Sequence, residues 1–156
     1  MRPCAAPNAP ATSPADVRLV LDTNVVLSAL LWRGSPYHLL HAIRQHGEVR
    51  LFTSAALVTE LAEVLNRPFA AKRLALLERT ALEMVADYLV AADLVVPSAV
   101  PRVVMPDADD DNVIAACVAA EADLLVSGDR HLLAIGQHLG TRVVIPAEAL
   151  RLISAR

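Results

Sequence analysis

The sequence predicts an α/β domain in three layers, with helices on both faces of a central, mostly parallel sheet. Short apolar, branched runs alternate along the chain with stretches of helical periodicity. The short runs are continuously apolar, as strands buried on both faces are. Several acidic residues fall where a predicted strand gives way to a helix, the edge at which such sheets bind ligands. The chain has 156 residues, 55% of them hydrophobic, enough for one core. Residues 1–15, rich in Pro and Ala, read as a flexible tail, and 16–156 as a single domain.

The elements follow in order. "VRLVLD" (17–22) reads as a buried strand and "TNVVLSALLW" as the helix after it. "RGSP" (33–36) breaks that helix, and "YHLLHAIRQHG" (37–47) forms a second one closed by Gly47. "VRLFTS" (49–54) is a strand whose Ser54 caps the helix "AALVTELAEVLNR", terminated by Pro68. "RLALLERTALEMVADYLVAA" (73–92) has the apolar spacing of one long amphipathic helix, and "LVVP" (94–97) of a short strand. The acidic run "PDADDDN" (106–112) opens the helix "VIAACVAAEA", whose first turn favours carboxylates through the helix dipole. "DLLVSGD" (123–129) is strand and turn, "RHLLAIG" a short helix, "TRVVIP" (141–146) the last strand and "AEALRLI" the last helix.

Composition removes several function classes. A formal net charge of −3 does not suit a generally basic nucleic-acid binder, and 3% aromatics leave no platform for stacking bases. No apolar run reaches the roughly 18 uncharged residues of a membrane helix. The N-terminus lacks the continuous apolar segment of a secretory signal. Cys4 lies in the tail and Cys117 in an apolar helix, so a disulfide framework is not expected. The expected compartment is the cytoplasm.

The acids carry the chemistry. Asp22 ends the first strand, Asp129 follows "DLLVS", Asp107 to Asp111 sit at another strand-to-helix junction, and Glu60 lies about two turns into the helix after "LFTS". Two carboxylates about 4 Å apart repel by roughly 4 kcal/mol at an effective dielectric near 20. Several at one rim need protonation or a divalent cation, and oxygen ligands select magnesium, manganese or calcium. Such a cation orients water and stabilises charge on phosphate. Each acid also has a plainer reading. Asp22 caps the helix after it, Glu60 and Glu63 form a solvated helix face, and Asp129 is a turn residue. Asp109 and Asp110 read as helix-start residues facing solvent. His38 and His41 share a helix face but have no third zinc-type ligand near them.

"VLDTNVVLSAL", "TSAALVTELAEVL", "DADDDNVIAACVAAEADLLVSGDRHLL" and "VVIP" together resemble the PIN-domain ribonucleases, most closely the VapC-like toxins of type II toxin–antitoxin systems. The resemblance covers residues 17–150 and implies the PIN-like form of the α/β/α fold. It implies an endoribonuclease dependent on Mg²⁺ or Mn²⁺, with Asp22, Glu60, Asp111 and Asp129 as the four acids and Asp107 as the second choice for the third. Thr23 and Asn24 match the first motif. Asn24 is expected to brace the site by hydrogen bonds, and Ser127 to support it with its hydroxyl. Arg33 and Arg130 flank the expected rim and are candidates to bind RNA phosphate. The partners implied are RNA and a cognate antitoxin; separately, the high apolar content leaves surplus hydrophobic surface, from which a homodimer is expected. The rivals are a structure-specific DNA nuclease on the same fold and a non-catalytic RNA or protein interaction module.

Overall fold

The computed structural model describes residues 16–98 and 108–155. Strand β1 (Val17–Leu21) leads into α1 (Thr23–Leu31) and α2 (Ser35–Gln45). Strand β2 (Val49–Ser54) is followed by α3 (Ala55–Leu65), α4 (Pro68–Leu77) and α5 (Ala81–Ala91). Then come β3 (Ala92–Val95), α6 (Ala108–Ala120), β4 (Leu124–Val126), α7 (Arg130–Ile135), β5 (Gln137–His138), β6 (Thr141–Val144) and α8 (Pro146–Ser154). The sheet order is β3-β2-β1-β4-β6-β5. All pairs are parallel except β5 with β6, so the expected mostly parallel α/β sheet is the one observed.

The pleat of β1 divides the core. Successive side chains of a strand point to opposite faces. Leu19 and Leu21 therefore join one cluster with α1, α2, α4, α5 and α8, while Val20 joins Phe52, Leu125 and the α6 residues Val113, Ile114 and Cys117 in the other. Because β1 is flanked by β2 and β4, its last residue opens onto the middle of the sheet's carboxyl edge.

Local signals set most boundaries. Ser54 Oγ accepts the Leu57 N–H at 3.3 Å, the expected cap of α3. Pro36, Pro68 and Pro146 each sit in the first turn of a helix, where a missing N–H costs nothing. Pro36 thus starts α2 two residues ahead of the expected Tyr37, and Pro68 ends α3 and begins α4.

The single helix expected over 73–92 is two. Glu78 adopts the left-handed region (φ 55°, ψ 40°) and closes α4. Thr80 then caps α5 in a reciprocal capping box with Glu83. Strand β3 begins at Ala92, two residues before the expected Leu94, because Ala92 is already in register with Leu51 of β2. The two-residue β5 was not expected. It is formed by a tight turn with Leu139 (φ 48°) and Gly140 (φ 87°) in the left-handed region. Among the described residues no helix is long and apolar enough to cross a membrane.

Candidate active site

Asp22 stands where β1 hands over to α1. Its N–H donates to the Val126 carbonyl at 2.9 Å, which extends the β1–β4 pairing by one residue. Its carbonyl accepts from Val25 and Val26, so it is also the N-cap of α1. Both carboxylate oxygens are held: Oδ1 accepts the Thr23 N–H at 2.8 Å, and Oδ2 accepts the Ser127 hydroxyl at 2.8 Å. Only 6% of Asp22 is exposed. The capping role and a site role therefore coexist in one side chain.

Ser127, completely buried, follows β4 and is fixed by its own N–H donating to the Val144 carbonyl at 2.9 Å. Its Oγ also accepts the Asp129 N–H at 3.0 Å. The carboxylate of Asp129 caps α7: Oδ1 accepts from the N–H groups of His131 at 2.7 Å and Leu132 at 3.3 Å. The His131 Nδ1 lies 3.5 Å from the same oxygen.

Asp111 lies in the first turns of α6, which packs against β1, and is 1% exposed. Glu60 is half-buried on α3 beside the buried Leu57 and Leu61, and α3 in turn packs against α1 and α6. Asp107 lies outside the described residues. Cys117, buried on α6, joins the surroundings of Asp22 without any sequence signal beyond its apolar helix. Burial, with the Asp22 charge as a further cause, pushes its thiol up to about 12.

Not every expected residue comes to the rim. Asn24 is exposed on α1, and the hydrogen bonds expected of it are supplied to Asp22 by the Thr23 N–H and Ser127. Thr23 itself is buried. Arg33 lies past the far end of α1, its guanidinium 5.2 Å from the Tyr37 ring centroid, about 13 Å of helix rise from the end that Asp22 caps. Arg130 is exposed at the start of α7, next to Asp129. Among the described residues no three acidic, histidine or cysteine side chains converge closely enough to share one ion. The carboxylates at this edge nonetheless offer oxygens alone. That set suits a hard cation such as Mg²⁺ or Mn²⁺ and does not suit zinc. The N-termini of α1 and α7 lie at the same edge, their first N–H groups taken up by the Asp22 and Asp129 carboxylates.

A profile of the family described as PIN domain matches residues 18–131. Among solved structures, the fold is similar to a chain in the crystal structure of VapBC2 from Rickettsia felis bound to a DNA fragment from their promoter. That match has a TM-score of 0.58 and 13% sequence identity, and covers 83% of this chain and 98% of that one. A comparison with curated proteins finds no match.

Proposed function

Because the chain belongs to the PIN-domain family, a family of nucleases, we propose that it is a Mg²⁺- or Mn²⁺-dependent endoribonuclease, the toxin of a toxin–antitoxin pair, acting on RNA at the rim around Asp22. The supporting observation is the burial of two carboxylates, Asp22 at 6% exposure and Asp111 at 1%, on neighbouring elements of one sheet edge. Burying each charged group costs several kcal/mol, which a polar site recovers only with positive charge and hydrogen bonds.

Asp22 and Asp111, the two buried carboxylates, are the residues that would hold the ion. When bound there, it would polarise a phosphate oxygen and lower the pKa of a water. The chain's own groups do the rest. Ser127 and the Thr23 N–H hold the Asp22 carboxylate in one orientation. Arg130, exposed beside Asp129, brings positive charge to an RNA phosphate. Arg33, a helix length away, meets such a strand only farther from the cut.

The partner reading has its own support. A groove runs between the end of α1, the start of α2 and the pair α4–α5, in two cavities of about 200 and 250 Å³ that share Leu30, Tyr37, Arg79 and Met84. A segment of an antitoxin fits such a surface, and the cytoplasm is the compartment in which both partners and RNA meet.

Single-stranded and hairpin RNA, and DNA of the same sequence, incubated with the purified protein and Mg²⁺, Mn²⁺ or EDTA test this reading. It expects RNA to be cut only with the metal present. Preferential cutting of DNA supports the rival nuclease, and metal-independent RNA binding without cleavage of either supports the interaction module.

A further inference from the structure

Resting on the rim as an RNA-cutting site, we propose that Ile145 touches substrate there: its exposed side chain is an apolar shelf for the base of an unpaired nucleotide beside the scissile phosphate.

Ile145 stands in line with Asp22. Leu21 is in register with Val126, and Val126 with Val144. The Asp22 N–H donates to the Val126 carbonyl and the Ser127 N–H to the Val144 carbonyl, both at 2.9 Å, so the register runs one residue past the strands. Asp22, Ser127 and Ile145 thus form a row across the carboxyl edge. Two residues before them lie Val20, Leu125 and Val143, all in the cluster on the α6 side of the sheet. The backbone of Asp22 and of Ile145 is still extended, with ψ of 150° and 159°. Alternation therefore returns the three side chains to that same face. The Ser127 hydroxyl on Asp22 Oδ2 is the contact such a row makes. Ile145 lies two strand spacings from Asp22, about 9–10 Å.

The chemistry of the row changes at Ile145. Helices α1, α3 and α7 leave this edge capped by the side-chain oxygens of Asp22, Ser54 and Asp129. Helix α8 leaves it from Ile145 with no side-chain cap. Isoleucine is among the least favoured N-cap residues, and this one is 46% exposed. A single open apolar residue is ordinary on a surface. One that takes the place of a helix cap, in a row with a buried carboxylate, breaks a local rule where functional sites break them. Pro146 follows it and has no N–H to offer. Such a surface has nothing for a phosphate. In RNA it suits the face of a base, which is open only where the nucleotide is unpaired and unstacked. Covering the open half of an isoleucine is worth about three- to tenfold in affinity. A contact made equally before and during cleavage changes KM and leaves kcat alone.

The experiment compares wild type, Ile145→Ser and Ile145→Val. It measures KM and kcat with Mn²⁺ on a short single-stranded RNA and on the same RNA with abasic nucleotides flanking the cut, together with Mn²⁺ affinity by calorimetry and melting temperature. We expect Ile145→Ser to raise KM on the intact RNA by about three- to tenfold, with kcat and Mn²⁺ affinity unchanged. It should melt no lower than wild type, because serine caps α8. Ile145→Val, which gives up one methylene, should stay within about twofold. On the abasic RNA, wild type and Ile145→Ser should share one KM. Ile145→Ser at the wild-type KM on intact RNA overturns the assignment. So does an equal loss on both RNAs, or a fall in Mn²⁺ affinity, since the residue would then shape the rim and not meet a base. If Ile145→Ser melts well below wild type, the abasic RNA decides with wild type alone: a raised KM supports the shelf and an unchanged KM overturns it. Wild type that neither binds Mn²⁺ nor cuts RNA ends the nuclease reading and this inference with it, an outcome seen before any variant is compared.

Discussion

At Asp22 a carboxylate and at Cys117 a thiol share one interior, and the charge of the first acts on the second. Cys117 is buried, and burial, then the Asp22 charge, raises its pKa to about 12. The raised value means that the folded state favours the neutral thiol, while the unfolded chain ionises near the ordinary thiol value of about 8.5. Stability is therefore fully present below about pH 8.5 and falls as pH rises from there towards 12, because the unfolded state then binds one proton fewer. Burial also raises the Tyr88 phenol above its usual range, which adds a loss in the same direction at higher pH. Denaturant unfolding between pH 8 and 11 should show this decline, and Cys117→Ala should flatten its lower part. An equal slope in the variant would mean that the thiol does not titrate with unfolding. The sequence placed Asp22 at the end of a strand because an isolated acid in an apolar run is visible. It could not place Cys117 beside it, since the facing of a helix across a sheet depends on packing between distant segments.

At the scale of elements, the break between α4 and α5 illustrates what periodicity hides. "LLERTALE" contains neither Gly nor Pro, and its apolar spacing runs through the junction. The readable signal was Thr80 followed by Glu83, a capping box that starts a helix. The Thr80 backbone N–H, followed by its hydroxyl, holds the Glu83 carboxyl below the usual range. Thr80→Ala should cost about 1 kcal/mol, a fall of about 2–4 °C in melting temperature for a domain of this size. Thermal unfolding followed by circular dichroism measures it. No change would show that α5 is held by Met84 and Tyr88 alone. The short β5 was illegible for a related reason: its turn uses Leu139 where Asn or Gly usually announces a left-handed residue. The first and second strands, by contrast, were readable nearly to the residue, since a continuous branched run bounded by caps has few alternatives.

The whole molecule adds what no segment contains. Alternation predicted a parallel sheet, but the order β3-β2-β1-β4-β6-β5 comes from pairings between distant strands such as Leu19 with Leu124. That order makes Asp22 central. The same assembly leaves Leu76, Leu82 and Val90 exposed on α4 and α5, at 77%, 78% and 89%. Apolar groups so open are what the homodimer expected from the sequence would cover. Sedimentation at tens of micromolar, the order at which weak interfaces fill, should give a dimer, and Leu82→Glu with Val90→Glu a monomer of unchanged secondary structure. A wild-type monomer there contradicts the dimer and leaves the rim untouched. The rim is tested most directly by the Mn²⁺-induced rise in melting temperature, compared between wild type and Asp22→Asn. A ligand at a hundredfold its Kd stabilises the state it binds by about 2.7 kcal/mol. Asn caps α1 nearly as well as Asp, so the metal-free variant should melt at or slightly above wild type. Wild type should then rise by several degrees with Mn²⁺, and the variant by much less. An equal rise in both would contradict the account, leaving Asp22 as the cap of α1 and nothing more.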